Sequence, residues 1–293
     1  MNRIRPGTRV SPSRLGWPLP AERNIASRRL SWVRIAIALA LVPVAGRAET
    51  AWLRPERFAV TPGTWLQIEL LRGPAFGESG AALERSAVLR TGAVLAAQPV
   101  TFFPFASSSQ ALRLMVALPQ PGVAVLTAEL KPERQTLTRE EVEAYFREVH
   151  ATDRIRNDWS RQPPEATWRE LRQVRLKTFV RVGEPPASDH GWSVPAESGL
   201  DIVPERDPTA LRENDECGVR ITRDGHPLIG AVVSYLSLDG NREHVTVTDG
   251  EGHASARLDA AVVWLVRVVD IEPAHDAGHD WDTADTAIVL VTK

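Results

Sequence analysis

The chain has 293 residues, of which 43% are hydrophobic and 25% charged, a composition that is ordinary for a globular protein. Residues 1–48 contain nine arginines and one acidic residue, which leaves 26 basic and 36 acidic residues, a net charge of −10, in 49–293. An acidic body argues against a nucleic-acid partner, because phosphate binding requires clustered lysine and arginine. The single cysteine, Cys217, excludes an intramolecular disulfide and an all-thiolate metal site.

The N-terminal region has the organisation of a secretory signal peptide. A basic segment, 28–34, precedes an apolar run, 35–45, and small residues in 46–48 precede a cut after Ala48. The apolar run is too short to span a bilayer as a helix, although a retained anchor is the alternative. The general secretory route and the twin-arginine route both remain open. The sequence therefore predicts a mature chain that begins at Glu49 and is periplasmic or secreted.

The first part of the mature chain is predicted to consist of short strands separated by turns. In Thr64 to Leu70 the apolar residues Leu66, Ile68 and Leu70 alternate and lie on one face. Further strands are predicted at 84–90, 111–118 and 123–130. Short strands at this spacing indicate a β-sandwich.

A helical insert is predicted at about 138–175. Thr138 and Glu141 have the spacing of a capping box, which would open a helix over 142–150. A second helical segment is predicted at 165–175.

Strand patterns resume after a linker rich in proline, serine and glycine at 183–199. The predicted strands lie at 217–223, 229–238, 243–248, 253–258, 262–270 and 286–292. We therefore expect a mostly β protein with two immunoglobulin-like β-sandwich domains, 49–182 and 200–293, and the short helical insert between them. Three tryptophans are expected in the core: Trp52, Trp65 and Trp264.

The motifs of several enzyme classes are missing from the sequence. It contains no nucleophile elbow, no glycine-rich phosphate loop and no H-E-x-x-H motif. We therefore expect a protein that catalyses no reaction. A hydrolase is the alternative, and it would need a histidine, a carboxylate and a serine within hydrogen-bond distance of one another.

The segment EPAHDAGHDWD, Glu272 to Asp282, concentrates side chains that can bind metals. Pro273 and Gly278 disfavour a helix, so a loop would have to bring the side chains together. Imidazole with carboxylate suits nickel, cobalt, zinc or copper better than calcium. A solvated acidic loop is the alternative.

Five segments together resemble one family: AWLRPERF (51–58), LDIVPERDPTAL (200–211), GHPLIGAV (225–232), TDGEG (248–252) and WLVRV (264–268). The chain resembles the bacterial domain-of-unknown-function family often described as the periplasmic component of cobalt/nickel ABC transport. Its C-terminal half is also similar to carboxypeptidase-regulatory-like, immunoglobulin-type modules, a likeness that indicates a fold more than a function.

The resemblance implies an exported binding protein for a divalent transition metal, with a periplasmic or membrane transport protein as its partner. The family has a histidine at the end of its late W-L-V strand, where this chain has Asp270, an oxygen ligand. The candidate metal ligands are therefore Asp270, His275, Asp276, His279 and Asp280. The alternative is a metal-independent immunoglobulin-like adhesion or scaffold module that binds a protein or a polysaccharide. An exposed apolar or aromatic patch would favour that alternative.

Overall fold

The computed structural model describes residues 49–293, except the side chains of 104–106, and the predicted signal peptide lies outside the described residues. The first nine strands are β1 (Thr50–Pro55), β2 (Ala59–Val60), β3 (Thr64–Gly73), β4 (Val88–Leu95), β5 (Gln98–Pro99), β6 (Phe102–Ser107), β7 (Leu112–Leu118), β8 (Gly122–Leu130) and β9 (Glu133–Leu137). Two helices follow, α1 (Arg139–Glu148) and α2 (Asp153–Ser160). The later strands are β10 (Trp168–Val182), β11 (Leu200–Pro204), β12 (Glu216–Arg223), β13 (His226–Pro227), β14 (Val232–Ser237), β15 (Glu243–Val247), β16 (His253–Arg257), β17 (Val263–Pro273) and β18 (Trp281–Val291).

The strands of this part of the chain form three sheets. The N-terminal sheet has the order β1-β3-β7-β6, and the C-terminal sheet joins β11, β12, β13 and β16. The largest is the ten-stranded central sheet, which has the order β15-β14-β17-β18-β10-β8-β4-β5, with β2 and β9 also paired to β10. The segment 183–199 is the expected linker between two domains. Strand β10 precedes this linker and β18 follows it, yet the two strands pair in parallel within the central sheet. The fold is mostly β, as the strand patterns indicate.

Both faces of the central sheet are buried, and each face lines a different core. On β17, Leu265 belongs to the core shared with the N-terminal sheet, whereas Val266 belongs to the core shared with the C-terminal sheet. On β18, Val289 belongs to the core shared with the N-terminal sheet and Ile288 to the core shared with the C-terminal sheet. Successive side chains of a strand point to opposite faces, so a strand covered on both sides needs apolar residues at consecutive positions.

Helix α1 confirms the predicted capping box. The Thr138 backbone N–H donates to Glu141 Oε2 at 2.7 Å, and the Glu141 N–H donates to Thr138 Oγ1 at 3.4 Å. Its buried residues are Val142, Tyr145 and Phe146, which form one apolar face of the helix. Neither α1 nor any other helix of residues 49–293 is long and apolar enough to cross a membrane.

The prediction of a helix at 165–175 is wrong, because this segment starts the long strand β10. The even-numbered residues from Trp168 to Leu176 are buried, which is the period of a strand. Two of these buried residues, Glu170 and Arg172, are charged. The alternation of buried and exposed positions therefore does not show as an alternation of apolar and polar residues in the sequence. Trp168 stacks on Trp281 with ring centroids 4.5 Å apart, and helices α1 and α2 cover this aromatic pair.

A buried group of charges lies where β10, β17 and β18 meet. Asp285 accepts hydrogen bonds from Arg172 and from Arg267, the latter at 3.1 and 3.0 Å. Burial opposes ionisation of Asp285, but the two guanidinium groups outweigh it and lower the pKa of this carboxyl to about 2. Arg267 also donates to Thr50 Oγ1 at 3.1 Å and to Glu148 Oε1 at 3.3 Å. Burial raises the pKa of Glu148, and Arg267 opposes that rise.

Asp285→Asn should therefore destabilise the protein strongly, because it leaves two buried guanidinium groups without their shared anion. We expect a loss of about 3–5 kcal/mol in the free energy of unfolding at pH 7, measured by urea denaturation. In the unfolded chain the pKa of Asp285 is about 3.9, and folding lowers it. The difference in unfolding free energy between the wild type and the variant therefore has its full size above about pH 3.9. It shrinks as the pH falls through about 2.

The matched control is Asp158→Asn, which removes the ion pair of Asp158 with the largely exposed Arg161. An exposed pair of this kind contributes at most about 1 kcal/mol. Equal losses in the two variants would contradict the structural role of Asp285.

Candidate functional site

The segment predicted as a metal-binding loop is the end of the β17–β18 hairpin. The two strands extend further than expected, so that Pro273 and Trp281 are still paired and the loop proper is 274–280. The Ala274 N–H donates to the carbonyl oxygen of Asp280 at 2.9 Å, which closes this loop. The hairpin thus brings the candidate ligands to one end of the central sheet.

The two histidines of the loop have different environments. The ring of His279 is buried, and its Nε2 lies 2.6 Å from Asp282 Oδ1, while its Nδ1 is buried without a hydrogen-bond partner. His275 is exposed, and its backbone N–H donates to Asp282 Oδ2 at 3.3 Å. Asp282, which is not one of the five predicted ligands, therefore organises this loop. Asp276 is exposed.

Arginines from distant strands bind the two remaining candidate ligands. Asp270 pairs with Arg223, whose Nη2 also lies 3.1 Å from Glu272 Oε2. Asp280 accepts two hydrogen bonds from Arg169, at 2.9 and 2.7 Å, and these bonds lower the pKa of its carboxyl. Within residues 49–293 there is no group of three or more His, Cys, Asp or Glu placed to hold a metal ion. The hairpin therefore brings His279 and Asp282 together but does not bring the five predicted ligands together.

The solvent-facing side of the N-terminal sheet carries an exposed aromatic pair. Trp65 on β3 is 54% exposed and Phe103 on β6 is 38% exposed, and their ring centroids are 4.7 Å apart. Strand β7 lies between β3 and β6, with Ala117 opposite Trp65 and Met115 opposite Phe103. Because Ala117 has a small side chain, the two rings can meet across β7. We call the surface formed by Trp65, Gln67, Phe103, Met115 and Ala117 the aromatic face.

The prediction that Trp65 is a core residue is wrong. The described tryptophans other than Trp65 are buried, with exposed fractions of 8% or less: Trp52, Trp159, Trp168, Trp192, Trp264 and Trp281. The strand pattern already contained the information needed, because Leu66, Ile68 and Leu70 alternate on the buried face. A strand directs its odd and even residues to opposite sides, so Trp65 must point outwards.

Charged side chains border the aromatic face on the same side of the sheet. Arg54 on β1 and Arg113 on β7 both approach Glu69 on β3, at 2.7 and 3.5 Å. The pairing register places Glu69 opposite both arginines. An apolar centre with a polar border is the usual composition of a protein–protein interface.

Cys217, the one thiol of the chain, is not placed to react. It is 3% exposed, and burial raises the pKa of its thiol to about 12. A thiol protonated at neutral pH is a poor nucleophile and a poor metal ligand.

The chain belongs to the family described as "Domain of unknown function (DUF4198)", which matches residues 47–271. No curated protein has a matching sequence.

Among solved structures, it is similar to the Escherichia coli adhesin FdeC at 10% identity and a TM-score of 0.25, over 85% of this chain and 67% of that one. The Yersinia pseudotuberculosis adhesin InvE matches at 10% identity and a TM-score of 0.21, over 83% of this chain and 58% of that one. Titin domains A168–A170 match at 10% identity and a TM-score of 0.21, over 84% of this chain and 67% of that one. Likenesses this low support no inference about function.

The metal hypothesis can be tested by calorimetric titration of the protein with Ni²⁺, Co²⁺, Zn²⁺ and Cu²⁺. Since arginines occupy the carboxylates of Asp270 and Asp280, we expect no binding at micromolar concentrations and the same heats from the double variant His275→Ala/His279→Ala. Micromolar binding that the double variant loses would contradict this expectation. It would establish a metal site in the hairpin loop.

Proposed function

We propose that the protein is an exported interaction module that binds another protein through the aromatic face and catalyses no reaction. The observation that carries the proposal is the position of Trp65, which is 54% exposed next to Phe103 while the other described tryptophans are buried. An adhesion or scaffold role of this kind needs no metal. A transport component of the cell envelope, which the family resemblance implies, would be one partner of this class.

The two exposed rings are a source of binding free energy. Burying apolar surface contributes about 25 cal/mol per Å², so two large rings left in water can stabilise a complex considerably. Tryptophan is also the residue type that most often dominates the energy of a protein interface. Because Trp65 and Phe103 already contact each other, a partner would meet a surface that is largely ordered before binding.

The face of the sheet supports binding better than its edge does. Strand β6 is the last strand of the N-terminal sheet, but it contains Pro104, which has no N–H to donate. The pairing register of β6 with β7 also shifts between Phe103 and Ala106. Proline and irregular pairing are two devices that prevent a further strand from adding to an edge. A partner would therefore dock on the side chains of the aromatic face.

The polar border favours a protein partner over a polysaccharide. Glu69 pairs with both Arg54 and Arg113, so the border keeps one net positive charge, which an acidic side chain of a protein partner can match. Export rests on the predicted signal peptide at 1–48, and the acidic composition of 49–293 agrees with a partner other than nucleic acid.

The proposal is tested with Trp65→Ala. Proteins of the envelope fraction of the encoding bacterium are passed over the immobilised protein, retained proteins are identified, and their affinities are measured by surface plasmon resonance. We expect Trp65→Ala to weaken binding of the partner by about 30-fold or more, as loss of a central interface residue does.

Leu89→Ala is the matched control, because Leu89 on β4 is as exposed as Trp65, at 55%, but lies on another sheet. We expect this variant to bind like the wild type. Equal affinity of Trp65→Ala and wild type would contradict the proposal, and so would saturable binding to polysaccharides alone.

A further inference from the structure

A cleft of about 580 Å³ lies between the central sheet and the segment 191–201. Strands β4 and β8 form its floor, where the pairing register places Val94 opposite Val125 and Gly92 opposite Thr127. Residues directly opposite each other in a sheet share one face, so these four positions lie on the same side. Sites for small molecules usually have volumes of about 300–1,000 Å³, so the cleft has the size of a ligand site.

The wall of the cleft is the segment that the sequence predicted as a linker. At its first end, Asp189 accepts hydrogen bonds from the Val123 N–H at 2.7 Å and, through its carbonyl oxygen, from Trp192 Nε1 at 3.0 Å. At its second end, Asp201 Oδ2 accepts a hydrogen bond from the Ala196 N–H at 2.8 Å. A wall that is fixed at both ends is ordered before a ligand arrives, which lowers the entropic cost of binding.

The middle of the cleft is apolar and accessible. Val94 on the floor is 36% exposed, and Val194 in the wall is 65% exposed. Between them the floor is low, because Gly92 has no side chain and a Cβ atom there would come within 2.8 Å of Thr127 Oγ1. A ligand with an apolar body would bury the two valines and gain free energy from the contact.

One end of the cleft has more cationic than anionic groups. Arg90 on β4 donates to both carboxylate oxygens of Glu129 on β8 at 2.7 Å, and Arg175 on β10 donates to the same carboxylate at 2.9 Å. Burial opposes ionisation of Glu129, but the two guanidinium groups outweigh it and lower the pKa of this carboxyl. One carboxylate therefore neutralises only one of the two arginines.

A buried ammonium group lies beside these arginines. Lys177 is two positions from Arg175 on β10, so both side chains leave the same face of the strand. The ammonium of Lys177 has three N–H groups, and within residues 49–293 it has two acceptors, Asp201 Oδ1 at 2.7 Å and the Ile202 carbonyl oxygen at 3.1 Å. The third N–H is available to a ligand.

Glu197 in the wall is the remaining carboxylate of the cleft. It is exposed, so water and salt screen its charge. Arg175 and Lys177 are mostly buried, with side chains 17% and 7% exposed, and their charges are screened less. The charges of the cleft therefore favour an anion.

We propose that this cleft binds an organic carboxylate with an apolar body, such as a medium-chain fatty acid. Its carboxylate would accept hydrogen bonds from Arg90, Arg175 and Lys177, which are stronger than hydrogen bonds between neutral groups. Its apolar body would lie between Val94 and Val194. The cleft is on the central sheet, so this proposal does not depend on the proposed function of the aromatic face.

The test is calorimetric titration of the protein, produced from its full coding sequence and purified as recovered, with octanoate below its micellar concentration. We expect saturable binding of one octanoate per chain. We also expect at least about tenfold weaker binding of 1-octanol, which has the same chain length but no charge. The absence of saturable octanoate binding would overturn the proposal, and so would equal affinities for the two ligands.

Two variants locate the ligand in the cleft. Arg90→Gln should weaken octanoate binding about fivefold or more, because Glu129 then neutralises the one arginine that remains. Its matched control is Arg161→Gln, since Arg161 is also exposed and ion-paired but lies at the end of α2, and this variant should bind octanoate like the wild type.

Val94→Trp should abolish octanoate binding with an unchanged circular dichroism spectrum, because the larger side chain fills the cleft from an exposed position. Unchanged octanoate binding by a folded Val94→Trp would overturn the proposal. Octanoate binding that Trp65→Ala weakens and Val94→Trp does not would also overturn it, because the ligand would then be on the aromatic face.

Discussion

The shared neutralisation of Arg172 and Arg267 by Asp285 is the interaction on which the arrangement of the sheets depends. These three residues lie on β10, β17 and β18, and Asp285 accepts hydrogen bonds from both arginines inside the protein. Burying charges is costly unless they are paired and hydrogen-bonded, so the group holds these strands in one relative position. Thr50 at the start of β1 and Glu148 at the end of α1 bind to the same Arg267. The N-terminal sheet and the helical insert are thereby attached to the central sheet.

This arrangement also explains why one face of the N-terminal sheet is left exposed. The central sheet supplies both cores, so the N-terminal sheet contributes the Leu66, Ile68 and Leu70 side of β3 to the core. Trp65, on the opposite side of β3, has no core to enter. The exposed ring is therefore not required by the packing of the fold, and this is the reason we propose a binding role for it.

Local patterns in the sequence predicted the elements whose stabilising contacts are also local. The capping box of α1 joins Thr138 and Glu141, three positions apart, and it was predicted correctly. The pattern predicted a strand at 176–182, but the first half of β10 was missed because Glu170 and Arg172 occupy buried positions. Their distant partners are Thr283 and Asp285 on β18 and the carbonyl oxygen of Glu49, just before β1. The outward direction of Trp65 could have been derived from the alternation in β3, but the general preference of tryptophan for the core was given more weight.

The candidate metal site could not be evaluated from local sequence for a similar reason. Asp270 is held by Arg223 on β12, and Asp280 is held by Arg169 on β10, more than a hundred positions before it in the chain. A cluster of histidine and aspartate in a loop shows which ligands are available, but not which cations already bind them. Only the folded sheet brings these arginines to the hairpin.

The central claim, that the aromatic face binds a protein, is tested most directly by photo-cross-linking in living cells that naturally produce the protein. A photoreactive residue is placed at Gln67, within the aromatic face, and in a separate strain at Leu89 on β4. We expect a discrete protein adduct from position 67 and none from position 89. No adduct from position 67, or the same adducts from both positions, would contradict it.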